Sequence, residues 1–174
     1  MHIIFNLLFL SAAIKWGDWR RWSNYYPTLL FFIVGDLLKN FLLYNYPMWT
    51  YQEVFFAENV LRNHTIINLM IIAIVYPSTI LLYLGRFPRI RWKQLLWLIF
   101  WVALYSGVEY INLCHLKLIQ HHNGWNMTWS VIFNIVMFSM LRIHHKNPPL
   151  AWVLSIIWIS FLLKLFQVPV DKMI

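Results

Sequence analysis

The chain reads as an all-α membrane protein, a polytopic bundle of six transmembrane helices. Three observations predict it. Of its 174 residues, 61% are hydrophobic and 11% charged, against roughly 45–50% and about 25% in a soluble domain. The apolar residues fall into six runs, and Lys and Arg collect in the gaps between alternate runs. A core of this length cannot hide so much apolar surface from water, so lipid must be the solvent for much of it.

The six runs cover about 2–14, 25–44, 65–84, 94–114, 127–142 and 150–168, in one transmembrane domain, 1–174. A helix needs about 20 residues at 1.5 Å each to cross the hydrocarbon. The second, third, fourth and sixth runs meet that length. The fifth is slightly short and bounded by polar turns. The first has about 13 apolar residues before Lys15. It lacks the basic start and the small-residue cleavage site of a signal peptide, so it reads as a retained short helix. An interfacial or re-entrant helix is the alternative.

Proline punctuates these runs. Pro27 is placed in the first turn of the second helix, where a missing N–H is tolerated. Pro77 lies inside the third and predicts a kink, with Ser78 and Thr79 close enough to serve freed backbone groups. Pro88 follows the third helix, and Pro148-Pro149 precedes the sixth.

Charge sets the orientation. Lys15, Arg20, Arg21, Arg86, Arg89, Arg91, Lys93, Arg142 and Lys146 sit in three alternate gaps, with Asp18 the one acid among them. The other gaps and the tail hold Arg62, Lys117 and Lys172 against Glu53, Glu58 and Asp171. The positive-inside rule puts the first set in the cytoplasm and both termini outside. The net charge of +8 therefore implies a membrane orientation, not a nucleic-acid partner. Trp16, Trp19, Trp22, Tyr25, Tyr26, Trp49, Tyr51, Trp92, Trp125, Trp129 and Trp152 fall at the expected interfaces, as amphipathic rings do.

Four charges lie inside the apolar runs: Asp36, Lys39, Glu109 and Lys164. Charge in lipid is costly, so such residues face the bundle interior and pair. Asp36 and Lys39 are three apart on one helical face. They form either a local pair that locks packing or part of a polar pathway. Ser106, Glu109 and Asn112 recur every three residues as a polar stripe on the fourth helix. Glu109 lies about 24 Å from Lys93 along that helix, in the outer third of the membrane. Lys164 lies at similar depth on the sixth helix and is its expected partner.

The histidines invite a metal reading. His144 and His145 fall on the cytoplasmic side, and His2, His64, His115, His121 and His122 on the external one. The two doublets therefore cannot share an ion. There is no HExxH and no fixed ligand spacing, and Cys114 is the one cysteine. Solvated interfacial histidines are expected. The segment His121-His122-Asn123-Gly124-Trp125-Asn126 is the densest local pattern. Asn123-Gly124 is a turn signal, and Asn126 or Thr128 can cap the fifth helix. The same residues can also grip a ligand or headgroup. No catalytic residue, cofactor or metal is assigned.

Taken together, Gly17-Asp18-Trp19, Tyr25-Tyr26-Pro27-Thr28, Glu109, His122-Asn123-Gly124-Trp125-Asn126, Trp129-Ser130, Arg142-Ile143-His144 and Pro148 resemble a family of small polytopic membrane proteins of spore-forming Firmicutes. The resemblance covers nearly the whole chain. It implies a bacterial cytoplasmic membrane and a link to sporulation or germination, and it hands over no activity. The function expected is a transport, channel or sensing component, or a subunit of a membrane assembly. A structural protein and an intramembrane enzyme acting on lipid are the alternatives. Partners expected are the lipid bilayer, further copies of the chain or other membrane subunits.

Overall fold

In the computed structural model, which describes residues 2–52 and 64–169, six helices alternate in direction: α1 His2–Trp16, α2 Trp22–Leu42, α3 His64–Tyr83, α4 Arg91–Tyr110, α5 Met127–Lys146 and α6 Pro148–Leu165. Glu53, Glu58, Arg62, Asp171 and Lys172 lie outside the described residues. The fold is all-α and that of a membrane protein. Among the described residues, α3, α4 with its C-terminal extension, α5 and α6 are long and apolar enough to cross a bilayer. α2 has the length, 21 residues, but Ser23, Asn24, Asp36, Lys39 and Asn40 lower its hydropathy. α1 is a shorter apolar helix.

α1 packs on α3, α2 lies against α3 and α5, and α5 also carries α4 and α6. One end of the bundle gathers Arg20, Arg21, Arg86, Arg89 and Arg142 and is here called the basic end. At the other, Trp49–Tyr51 (β1) and Ile119–His121 (β2) pair antiparallel, with Trp49 opposite His121 and Tyr51 opposite Ile119. These strands, absent from the sequence expectation, form a small lid. Met48, Trp125 and Val168 are buried beneath it, with Trp49, Phe133, Leu163 and Phe166 packed around them.

Near the basic end the interior is filled. Ile80, Leu81 and Phe138 are fully buried, and Tyr83 and Leu141 are 1% exposed. The Tyr83 hydroxyl donates to the Phe138 carbonyl at 3.0 Å, and Trp97 Nε1 donates to the Tyr83 carbonyl at 3.0 Å. Lipid is as apolar as this core, so close packing, not exclusion from water, holds the helices here. The edge-on contacts of Phe138 with Tyr83 and Tyr105, both at 5.0 Å, are worth about 0.5–1.5 kcal/mol each.

Several boundaries move. α2 begins at Trp22 because a 3-10 turn, Trp19–Arg21, leads straight into it. Pro27 therefore lies inside the helix, past its first turn. α5 runs on to Lys146, so Asn147 alone joins α5 to α6. Its side chain caps α6 through the Leu150 amide at 3.3 Å, and Pro148 starts the helix. Pro77 is inside α3 as expected. Ser78 Oγ donates to the Ile74 carbonyl at 2.6 Å, whereas Thr79 is spent on the Tyr105 hydroxyl at 2.6 Å. After Tyr110 the fourth helix widens into a π turn, Ile111–His115, closed by the Leu116 amide on the Ile111 carbonyl.

Candidate functional site

The polar stripe of α4 meets a second one on α5. Ser106 Oγ accepts from Asn134 Nδ2 at 3.1 Å, and Glu109 Oε1 accepts from Ser130 Oγ at 2.5 Å. Ser130 and Asn134 are four apart, hence on one helical face. That spacing was present in the sequence and its significance was missed. Trp125 Nε1 donates to Ser130 Oγ at 2.8 Å, so the loop before α5 is wired to the carboxylate. Asn112 turns its amide back to the Val108 carbonyl at 2.8 Å. Its Oδ1 is buried with no hydrogen-bond partner.

Glu109 meets the imidazole of His121, not the ammonium of Lys164. His121 Nε2 lies 2.9 Å from Glu109 Oε1, and the two side chains are 10% and 21% exposed. Lys164 is exposed in the last turn of α6, where a cation suits the negative end of the helix dipole. Similar depth on two helices does not fix which way each side chain points. The hydroxyl, carboxylate and imidazole run in the order Ser130, Glu109, His121. A nucleophilic triad needs the imidazole between the other two.

Asp36 is the second polar node. Lys39 Nζ reaches its Oδ1 at 3.0 Å. Asn40 and Asn68 donate to Oδ2 at 3.1 and 2.9 Å, and Tyr76 reaches the same group. The local Asp36–Lys39 pair is thus present, widened by three residues the sequence did not single out. Lys39 Nζ also sits 4.2 Å from the centre of the Trp49 ring. Trp49 packs on Trp125 at 5.1 Å. An aromatic step in the lid therefore joins the Asp36 node to the Glu109 node. Tyr51 lies between them: burial pushes its phenol up, and the Asp36 and Glu109 charges act in the same direction.

The other candidates spread around the lid. His122 Nε2 lies 2.9 Å from Thr50 Oγ1. Asn123 and Gly124 both take positive φ, 51° and 82°, and Asn123 Nδ2 donates to the Pro47 carbonyl at 2.8 Å. Asn126 caps α5 through the Thr128 and Trp129 amides at 3.0 and 3.3 Å. His115 is exposed, its ring edge-on to Tyr110 at 6.0 Å. His64 opens α3. Among the described residues no three His, Cys, Asp or Glu converge as a metal set.

Three of the histidines are less solvated than expected. His121 and His122 are partly buried and partnered. His144, at the basic end, is 4% exposed. It lies 3.1 Å from Thr28 Oγ1 and stacks on Phe31 at 4.3 Å. A helix that continues past residue 142 carries it inward. At the same end Asp18 holds the turn before α2. The Tyr25 hydroxyl donates to it at 2.7 Å and Arg21 pairs with it. The Tyr25 bond, then Arg21, holds the Asp18 carboxyl below the usual carboxylate range.

Between the lid and the filled end lies a cavity of about 330 Å³ lined by residues of all six helices. Asp36, Lys39, Glu109, Asn112, Ser130 and Asn134 all face it, and the rest of its wall is mostly apolar. Both acids thus line one space. No family model, curated protein or solved structure matches the chain.

Proposed function

We propose that the protein is a multi-pass component of a bacterial cytoplasmic membrane that takes a ligand into this cavity, as part of a transport or sensing system. One observation carries the reading: a space of about 330 Å³ inside the bundle is lined by the carboxylates of Asp36 and Glu109, by Lys39 and by the polar side chains Asn112, Ser130 and Asn134. Ligand sites are mostly apolar hollows with a few converging polar groups. Ionisable groups inside a membrane are functional candidates by default. The clustering of Arg and Lys at the basic end supports its placement in the cytoplasm and the lid outside. The sequence resemblance adds sporulation or germination as the setting in which to look for a phenotype. A second reading, an intramembrane enzyme acting on lipid, is favoured only by the 2.9 Å contact of Glu109 with His121.

The test fills the cavity. Met137 lines it from α5. Wild type and Met137→Trp are purified in mild detergent and their small molecules extracted for mass spectrometry. The expected result is a molecule held by wild type and reduced more than tenfold in the variant, with both proteins folded. If wild type holds nothing and the filled variant is simply more stable, the bundle is a packing protein. A chemically converted product in place of the molecule supplied favours the enzyme.

A further inference from the structure

We infer that the ligand enters sideways from the bilayer, through a mouth between α2 and α6, and is a single-chain amphiphile with an uncharged, hydroxyl-bearing head. The inference rests on the ligand-binding reading above and names its substrate class.

The first argument is about the route. Along the bundle axis both ends are closed by packed rings: Trp49, Trp125 and Phe166 under the lid, and Tyr83, Trp101 and Phe138 towards the basic end. Of the residues lining the cavity, three are also exposed on the outer surface: Leu38, Trp152 and Ile156, at 36, 37 and 61%. A side chain that faces both an interior space and the surroundings stands at an opening. Leu38 is on α2, and Trp152 and Ile156 are on α6. Phe31 meets Trp152 edge-on at 4.8 Å and closes the cleft on the side of the basic end. The mouth therefore lies beyond that contact, at a depth where the surroundings are acyl chains.

The second argument is about the head. Lys39 balances Asp36. Glu109 already holds a hydroxyl and an imidazole on one oxygen, and among the described lining residues no lysine or arginine besides Lys39 is present to receive a carboxylate or phosphate. Both bonds to Glu109 fall on Oε1, which leaves the other carboxylate oxygen of this lining residue to accept from a ligand hydroxyl. At about 330 Å³ the cavity is at the small end of ligand pockets, which run from roughly 300 to 1,000 Å³. Such a space holds the head and the start of a chain, whose remainder leaves through the mouth among the lipids.

The probe is a monoacylglycerol with a diazirine in its chain, mixed into phosphatidylcholine–phosphatidylglycerol vesicles containing the full-length protein. Illumination is expected to label interior residues near Met137 and Ile159. Unlabelled monoacylglycerol competes, and the free fatty acid and fatty amine of equal length compete more than tenfold less. Leu38→Trp with Ile156→Trp, both on the surface facing lipid, cuts interior labelling more than tenfold, and Val153→Trp with Ile157→Trp, exposed on α6 but off the cavity wall, does not. Labelling unchanged by the double substitution overturns the lateral route. Stronger competition by the acid or the amine overturns the head assignment. In parallel, Met137→Cys with Cys114→Ser is treated with a small aqueous thiol reagent. Modification there without interior lipid labelling overturns this inference and leaves the ligand-binding reading standing. No access by either probe overturns both.

Discussion

The Ser130 hydroxyl lies 2.5 Å from Glu109 Oε1 and accepts the Trp125 indole N–H on its other side. One small side chain thus ties α5, α4 and the lid loop together. Ser130→Ala removes the donor to a carboxylate and strands a buried indole N–H. Its expected cost is about 1–3 kcal/mol, read as a lower melting temperature in detergent. Glu109→Gln keeps an acceptor for Ser130 and should cost less than Glu109→Ala. If Glu109→Gln unfolds the protein, Glu109 is mainly a structural hub.

Asp36 and Lys39 form a largely buried pair, with side chains 11% and 18% exposed. Asp36→Asn leaves Lys39 with only the Trp49 ring, and breaking such a pair by removing one partner costs about 3–5 kcal/mol. Adding Lys39→Met should return much of that loss. A double-mutant cycle then gives a coupling of about 0.5–3 kcal/mol. A coupling near zero would show that Asn40, Asn68 and Tyr76 hold Asp36 without the lysine.

The lid turn relies on backbone that L residues rarely adopt. Gly124 has φ of 82°, and Gly124→Ala should cost about 1–2 kcal/mol. Hydrogen exchange should locate the loss in the amides of β1 and β2 and leave the buried stretch of α3 unchanged. Uniform loss across the bundle would mean that the lid and the helices unfold together.

Asp18 gives a pH signature at the basic end. Its folded pKa lies below the ordinary carboxylate value of about 3.9, chiefly through the Tyr25 hydroxyl and then Arg21. The stabilisation is therefore fully present above the ordinary value and is lost as pH falls through the lowered one. Tyr25→Phe should move the Asp18 titration upward in carbon-detected NMR, and with it the acid edge of stability. An Asp18 titration that does not respond to Tyr25→Phe would refute this assignment.

Much of the helical frame was legible, because long apolar runs leave few alternatives. The α4 stripe was legible too, since a spacing of three places Ser106, Glu109 and Asn112 on one face. What Glu109 touches was not. His121 reaches it only because β1 and β2 pair, and each strand is three residues long, too short for a period of two to count as a signal. Thr50 and His122 meet across 72 positions, and Thr28 and His144 across 116. No local signal encodes such contacts. Lys164 was misjudged because depth along a helix is readable from residue number, whereas direction around it depends on its neighbours.

The π turn at Ile111–His115 has a genetic consequence. Excising any one of its five residues would restore the ordinary α-helical repeat. It would also rotate everything that follows by about 100° relative to Glu109. Lys117, already at φ 52°, and the strand that delivers His121 would then leave the helix on another heading. The residue count between Glu109 and His121 is therefore as much a part of this site as the two side chains. A single-codon deletion there should be less tolerated than most point substitutions in the same stretch.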